Sequence, residues 1–141
     1  MAVKNRTLKE IGNKDADAIE TILRCISKTQ TYADFDNLKD FEYNEMAFDA
    51  SVRQVEIIGE AVKRLSEEIR EKHPEIKWSS LAKMRDRLIH QYDKIESIIL
   101  WDTIKKELPR EVPKLKAIKQ EILEKQKESA SKKQTQTPKL F

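Results

Sequence analysis

Residues 44–72 read NEMAFDASVRQVEIIGEAVKRLSEEIREK. Ala47, Ala50, Val55, Ile58, Ala61, Val62, Leu65 and Ile69 recur close to the helical period, so they form the apolar face of one long helix. This stretch decides for helix over strand. Gly59 interrupts the face at a cost of about 1 kcal/mol against Ala, and it lets a neighbouring helix come close. His73 and Pro74 stop the helix, because a residue before proline is pushed out of the α region. His73 is then expected to be an exposed residue at a helix C-terminus, interacting with the helix dipole.

Upstream, Ile19, Ile22, Leu23 and Ile26 follow the i, i+3, i+4, i+7 rule and predict a helix from Asp15. Cys25 lies beside that stripe as a small packing residue. Residues 1–14 are polar apart from Leu8 and Ile11, and form an N-terminal extension that either lengthens this helix or stays loose. Residues 31–43, TYADFDNLKDFEY, break the period; Asp34, Asp36 and Asn37 are turn and N-cap types. A connector with one short helical turn is expected there.

Downstream, a short loop EIKW leads to two candidate N-caps, Ser79 and Ser80. Residues 80–92 predict a helix with Leu81, Met84 and Leu88 on one face. A last helix from residues 93–94 carries Ile95, Ile98, Ile99, Trp101 and Ile104. Pro109 and Pro113 interrupt it, each acceptable in the first turn of a renewed helix. Leu115, Ile118, Ile122 and Leu123 continue the pattern to residue 126. Residues 127–141, KESASKKQTQTPKLF, are expected to be a disordered basic tail. The domain is thus residues 15–126, an all-α up-and-down bundle of four to five helices. The helices are long and the core thin, so a homodimer is expected to cover leftover apolar surface.

Composition agrees. The 141 residues include two glycines and four prolines, too few for an all-β sandwich or for a glycine-rich phosphate loop. Charged residues make up 38%, against a globular average of about 25%. No run approaches the ~18 apolar residues of a membrane span, and the N-terminus lacks a signal-peptide core. Cys25 is the single cysteine, which leaves no internal disulfide and no Cys-based zinc site. A soluble, cytoplasmic, membrane-free setting is expected. The net charge of +3 is uneven: residues 105–141 hold eleven Lys/Arg against five Asp/Glu. Such a tail is either a phosphate-attracting arm or a solvated end.

Few residues suit catalysis. No His/Asp/Glu spacing resembles a metal motif such as H-E-x-x-H, so neither metal nor cofactor is expected. His90 differs from His73, because it lies in Met84-Arg85-Asp86-Arg87-Leu88-Ile89-His90-Gln91-Tyr92, with Lys83 just before. Arginines suit phosphate, and histidine moves protons near neutral pH. Together they are components for cutting RNA without a metal. A base takes the ribose 2′-hydroxyl proton, the oxygen attacks phosphorus, and a cation stabilises the phosphorane-like charge. The plainer alternative is a helix end with Asp86 and His90 paired at i, i+4.

Arg85-x4-His90-x-Tyr92 resembles the R-x4-H-x-Y motif of HepT-like HEPN ribonucleases. These are the toxins of toxin–antitoxin pairs whose antitoxin is an MNT-type minimal nucleotidyltransferase. Gln54-Val55-Glu56-Ile57-Ile58-Gly59-Glu60-Ala61 resembles the family's I-I-G-E-A helix. Pro74-Glu75-Ile76-Lys77-Trp78 is similar to its P-x-I-P-W entry, with Lys77 where proline is usual. Met84-Arg85 before Leu88-Ile89-His90 is similar to M-R-N-x-L-x-H, and Trp101 and Leu108-Pro109 match later landmarks. Asp86 stands where asparagine is common and Gln91 where glycine is frequent; neither removes a catalytic group. The resemblance covers residues 15–125.

It implies an all-α HEPN fold that dimerises with two motifs facing across a cleft. It also implies endoribonuclease activity neutralised by AMP transfer from the antitoxin onto Tyr92. An adduct there would block the RNA cleft by volume and charge. In that reading His90 transfers protons, Arg85 binds phosphate, Asp86 orients, and Lys83 and Arg87 guide RNA. On a helix advancing about 100° per residue, Arg85 and His90 point about 140° apart. They serve one phosphate only if the helix ends before His90 or the site is shared between protomers. The alternative function is a non-catalytic helical partner that docks a nucleotidyltransferase and binds nucleotide or RNA without cleavage. A third class is a purely structural bundle.

Overall fold

In a computed structural model, residues 8–90 and 94–136 are described. Among the described residues the fold is all-α apart from one two-residue antiparallel pairing. Helix α1 (Leu8–Tyr32) begins inside the N-terminal stretch, ahead of the Asp15 read from the pattern. Its face of Ala18, Ile19, Ile22, Cys25 and Ile26 is buried. Cys25 packs there, and burial pushes its thiol up, away from the reactive thiolate. The connector holds α2 (Leu38–Tyr43), which starts where the Asn37 side chain accepts from the Asp40 N–H at 2.9 Å. Phe41 of α2 is fully buried against Phe35, Phe48 and Trp101, at ring separations of 5.9, 5.4 and 5.5 Å.

The long helix of residues 44–72 is in fact two. Helix α3 (Glu45–Arg64) is capped by Asn44, and α4 (Glu67–Lys72) by Ser66. Between them Leu65 and Ser66 are extended, yet Leu65 stays in the core at 3% exposure. The break follows from Asp15 of α1, which is buried and accepts from Ser66 N–H at 2.8 Å and from Ser66 Oγ at 2.6 Å. A buried carboxylate needs those donors, and the helix opens to supply them. Asp15→Ala strands both donors, so a loss of about 1–3 kcal/mol is expected in urea unfolding; an unchanged midpoint would refute the role.

His73 corrects its reading as an exposed residue. It does terminate α4, but its ring is only 11% exposed. Nδ1 lies 2.9 Å from Glu75 Oε1, and Nε2 stands 3.2 Å from Glu121 Oε2. Lys72 binds the same Glu121 at 2.6 Å and holds its carboxyl below the usual range.

The predicted helix 80–92 is also divided, into α5 (Trp78–Ala82) and α6 (Met84–Leu88). Ser79 and Ser80 lie inside α5 rather than capping it. The Trp78 indole anchors the start by donating to the His73 carbonyl at 2.9 Å. After α6, β1 (Ile89–His90) pairs with β2 (Lys94–Ile95), Ile89 opposite Ile95 and His90 opposite Lys94.

Helix α7 (Ser97–Asp102) runs into a π-helical segment (Thr103–Glu107) and on into α8 (Leu108–Gln136). Pro109 and Pro113 therefore do not break the chain into separate helices. Leu108 N–H bonds to Thr103 O, the longer π step. Ile104 O then has no N–H ahead of it, since residue 109 is proline. Gln30 of α1 supplies the missing donor at 2.8 Å.

The cross-ties give the packing directions. Gln30 meets residue 104, Glu20 pairs with Lys119, and Asn13 accepts from Gln126, so α1 and α8 are antiparallel. Asp15 at the start of α1 meets Ser66 just past α3, so these two are antiparallel as well. The core between them holds Ile19, Ile22, Ile58, Leu100, Ile104, Leu115 and Ile118. Helix α8 continues through Gln136, past the apolar pattern; residues 137–141 of the tail lie outside the described residues. Among the described residues, no helix is long and apolar enough to cross a membrane.

Candidate active site

Helix α6 presents the motif. Met84 and Leu88, four apart, are buried at 1% exposure each and fix its inner face. Lys83, Arg85 and Asp86 are exposed on the outer side. Beneath them Gly59 of α3 faces the end of α5: an added Cβ would stand 3.2 Å from Ala82 O and 3.4 Å from Leu81 O. The close approach read from Gly59 is therefore to the backbone carbonyls one and two residues before Lys83. A larger side chain there would push directly on the segment that carries the motif.

The helix ends at Leu88, before His90. Leu88 O accepts from Glu96 N–H at 3.1 Å across the β1–β2 pairing, so its carbonyl is used outside the helix. The first of the two conditions for Arg85 and His90 to serve one phosphate is met. The helical i, i+4 relation between Asp86 and His90 does not apply, because His90 is extended. The His90 backbone is placed opposite Lys94; its side chain and Tyr92 lie outside the described residues.

The two arginines differ. Arg85 is 64% exposed, with Nε 3.9 Å from Glu56 Oε1 of α3. The same Glu56 lies 3.6 Å from Arg53. Arg87 is engaged: its fork donates to Glu107 at 3.0 and 3.2 Å, and to Ser80 Oγ at 2.8 Å. The hydrogen bonds to Glu107 raise the guanidinium's pKa further and tie α6 to the π segment. Sequence reading did not name Glu107, offered Ser80 only as a helix cap, and gave Glu56 no role. Glu107 leaves no local signal, because its partner is 20 residues away. Glu56 could have been found from its place one turn before Gly59. Among the described residues, no group of three His, Cys, Asp or Glu is placed to hold a metal.

The family model of ribonuclease HepT-like proteins matches residues 22–122. The chain belongs to the ribonuclease HepT-like family. A Thermococcus cleftensis protein named "Probable ribonuclease HepT" is 36% identical over 93 residues, covering 66% of this chain and 84% of that protein. A Caldanaerobacter subterraneus subsp. tengcongensis protein named "Putative RNase" is 45% identical over 91 residues, covering 64% and 78%. A Methanocaldococcus jannaschii protein with the same style of name is 45% identical over 83 residues, covering 59% and 64%. No solved structure matches the chain. The HepT-like match runs from the middle of α1 to the packed part of α8, and so contains Glu56, Gly59, the motif and Glu107. Membership agrees with the resemblance read from the motif and with the all-α bundle. It places the chain in a family of ribonucleases.

Proposed function

We propose that this protein is a metal-independent endoribonuclease toxin, acting in a composite cleft between two protomers. The observation that carries the reading is the family match across a motif whose helix stops at Leu88, ahead of His90. His90 accepts the proton of a ribose 2′-hydroxyl. The 2′-oxygen attacks the adjacent phosphorus, the bond to the 5′-oxygen breaks, and a second His90 from the other protomer protonates that leaving oxygen. A cyclic phosphate remains. Arg85 binds the phosphate and stabilises its transition-state charge. Asp86 orients the reacting groups from the exposed side of α6. Lys83 attracts RNA with a charge close to the site; Arg87 adds to that potential while its hydrogen bonds stay with Glu107 and Ser80.

The partner in this reading is an MNT-type nucleotidyltransferase antitoxin that transfers AMP to Tyr92. The adduct excludes RNA by volume and like charge. Intact mass after co-expression should rise by one AMP, and the gain should vanish in Tyr92→Phe. Neutralisation without modification would replace transfer with inhibition by binding.

RNA cleavage by purified protein in EDTA tests the activity. Wild type is expected to cut, and Arg85→Ala to be slower by about a hundredfold, the scale for losing one charge-stabilising donor. Wild type of unmodified mass that leaves every RNA pool intact would overturn the reading in favour of the non-catalytic partner.

A further inference from the structure

Helix α3 meets the motif segment at two successive turns. At Gly59 it does so through backbone, against the carbonyls of Leu81 and Ala82. At Glu56 it does so through charge. The Glu56 carboxylate is divided between two guanidiniums: Oε2 lies 3.6 Å from Arg53 Nη1 and Oε1 lies 3.9 Å from Arg85 Nε. Its side chain is 28% exposed, against 62% for Arg53 and 64% for Arg85. The Glu56 side chain is therefore the most sheltered of the three.

The separation matters. At 3.9 Å the Arg85 contact is one of charge and not an aligned hydrogen bond. Such a contact orients the side chain without consuming its donors. It acts on the Nε side, and among the described residues the two terminal nitrogens of Arg85 make no hydrogen bond. Those nitrogens are the fork that meets phosphate bidentately. Arg87 is the contrast within one helix, because its fork is closed by Glu107 and Ser80.

We propose that Glu56 is a positioning residue for RNA cleavage. It holds Arg85 from behind, with its terminal nitrogens presented to the scissile phosphate, while Arg53 keeps Glu56 in place. This rests on the ribonuclease reading above. A long arginine side chain otherwise spreads over many rotamers, and the bound geometry sets the rate. The same carboxylate is a negative charge beside a phosphate site, so it opposes RNA binding. The two effects have opposite signs, which makes the role measurable.

The experiment is steady-state cleavage of a short RNA by full-length wild type, Glu56→Gln, Glu56→Asp, Arg85→Ala and Glu56→Gln/Arg85→Ala, with melting temperatures measured alongside. In Glu56→Gln, kcat should fall about tenfold while KM stays the same or drops. Glu56→Asp, which keeps the charge with a shorter reach, should recover part of the loss. In the Arg85→Ala background, Glu56→Gln should cost nothing further, because its effect passes through Arg85. An unchanged kcat with a lower KM would overturn the proposal and leave Glu56 as a repelling surface charge. An equal fall in both backgrounds would overturn it in favour of general structural damage. Should Glu56→Gln fail to fold, Glu56→Asp alone carries the comparison through the same split of kcat and KM. Wild type that cuts no RNA would bring down the ribonuclease reading together with this proposal. An active wild type with a fully active Glu56→Gln would bring down this proposal alone.

Discussion

His90→Ala is expected to lower RNA cleavage by about 10²–10⁴-fold, the range for losing a positioned proton-transfer group. The chain supplies His73 as its other imidazole, and that ring is held between Glu75 and Glu121. It cannot stand in. The backbone of residue 90 keeps its pairing with Lys94 whatever the side chain, so the fold should survive the change. Matched circular dichroism and melting curves would show that the loss is chemical. If two His90 groups share one cleft, mixing inactive His90→Ala chains with wild type should reduce the rate by more than the fraction of mutant added. Wild-type rates in pure His90→Ala would remove His90 from the mechanism.

Phe41→Ala is expected to cost about 3–5 kcal/mol, as for other buried phenylalanines. The side chain is fully buried and touches three aromatic rings from three parts of the chain. Its helix has only six residues, far too few to persist alone. Phe41 therefore pins the α1–α3 connector onto Trp101 of α7. Domains of this kind are stable by about 5–15 kcal/mol in total, so the loss takes a large share of it. Urea unfolding should show an earlier midpoint, and a shift worth less than about 1 kcal/mol would mean that the aromatic cluster closes over the gap.

The faces of α1 and α3 could be read from sequence, because helical periodicity is a local property and Ile19, Ile22, Ile58 and Val62 all obey it. Gly59 was legible for a related reason: a glycine inside an apolar helical face has few other uses. The features that escaped depend on partners far along the chain. The break at Leu65 and Ser66 is set by Asp15, 51 residues away. The continuity of the helix through Pro109 depends on Gln30, whose amide reaches a carbonyl 74 residues on. The end of α6 at Leu88 depends on Glu96 across a pairing that periodicity does not encode. At the site, the apolar face of Leu81, Met84 and Leu88 was legible, and the structure puts Arg85 and Asp86 on the exposed side of α6. Nothing local distinguished the engaged Arg87 from Arg85, because the difference is made by Glu107.

Helix α6 has five residues and borrows its order from outside: the buried Met84 and Leu88, the Glu56 contact, and the Arg87–Glu107 bridge. A segment held in this way opens locally at a lower free energy than the long helices around it. Its amides are expected to exchange with solvent through that small opening, ahead of those of the long helices. Warming would then disarm the motif while α1, α3 and α8 still hold together. The temperature at which the protein stops working is therefore expected to lie below the temperature at which it melts, and core substitutions away from Met84 and Leu88 are expected to act mainly on the second.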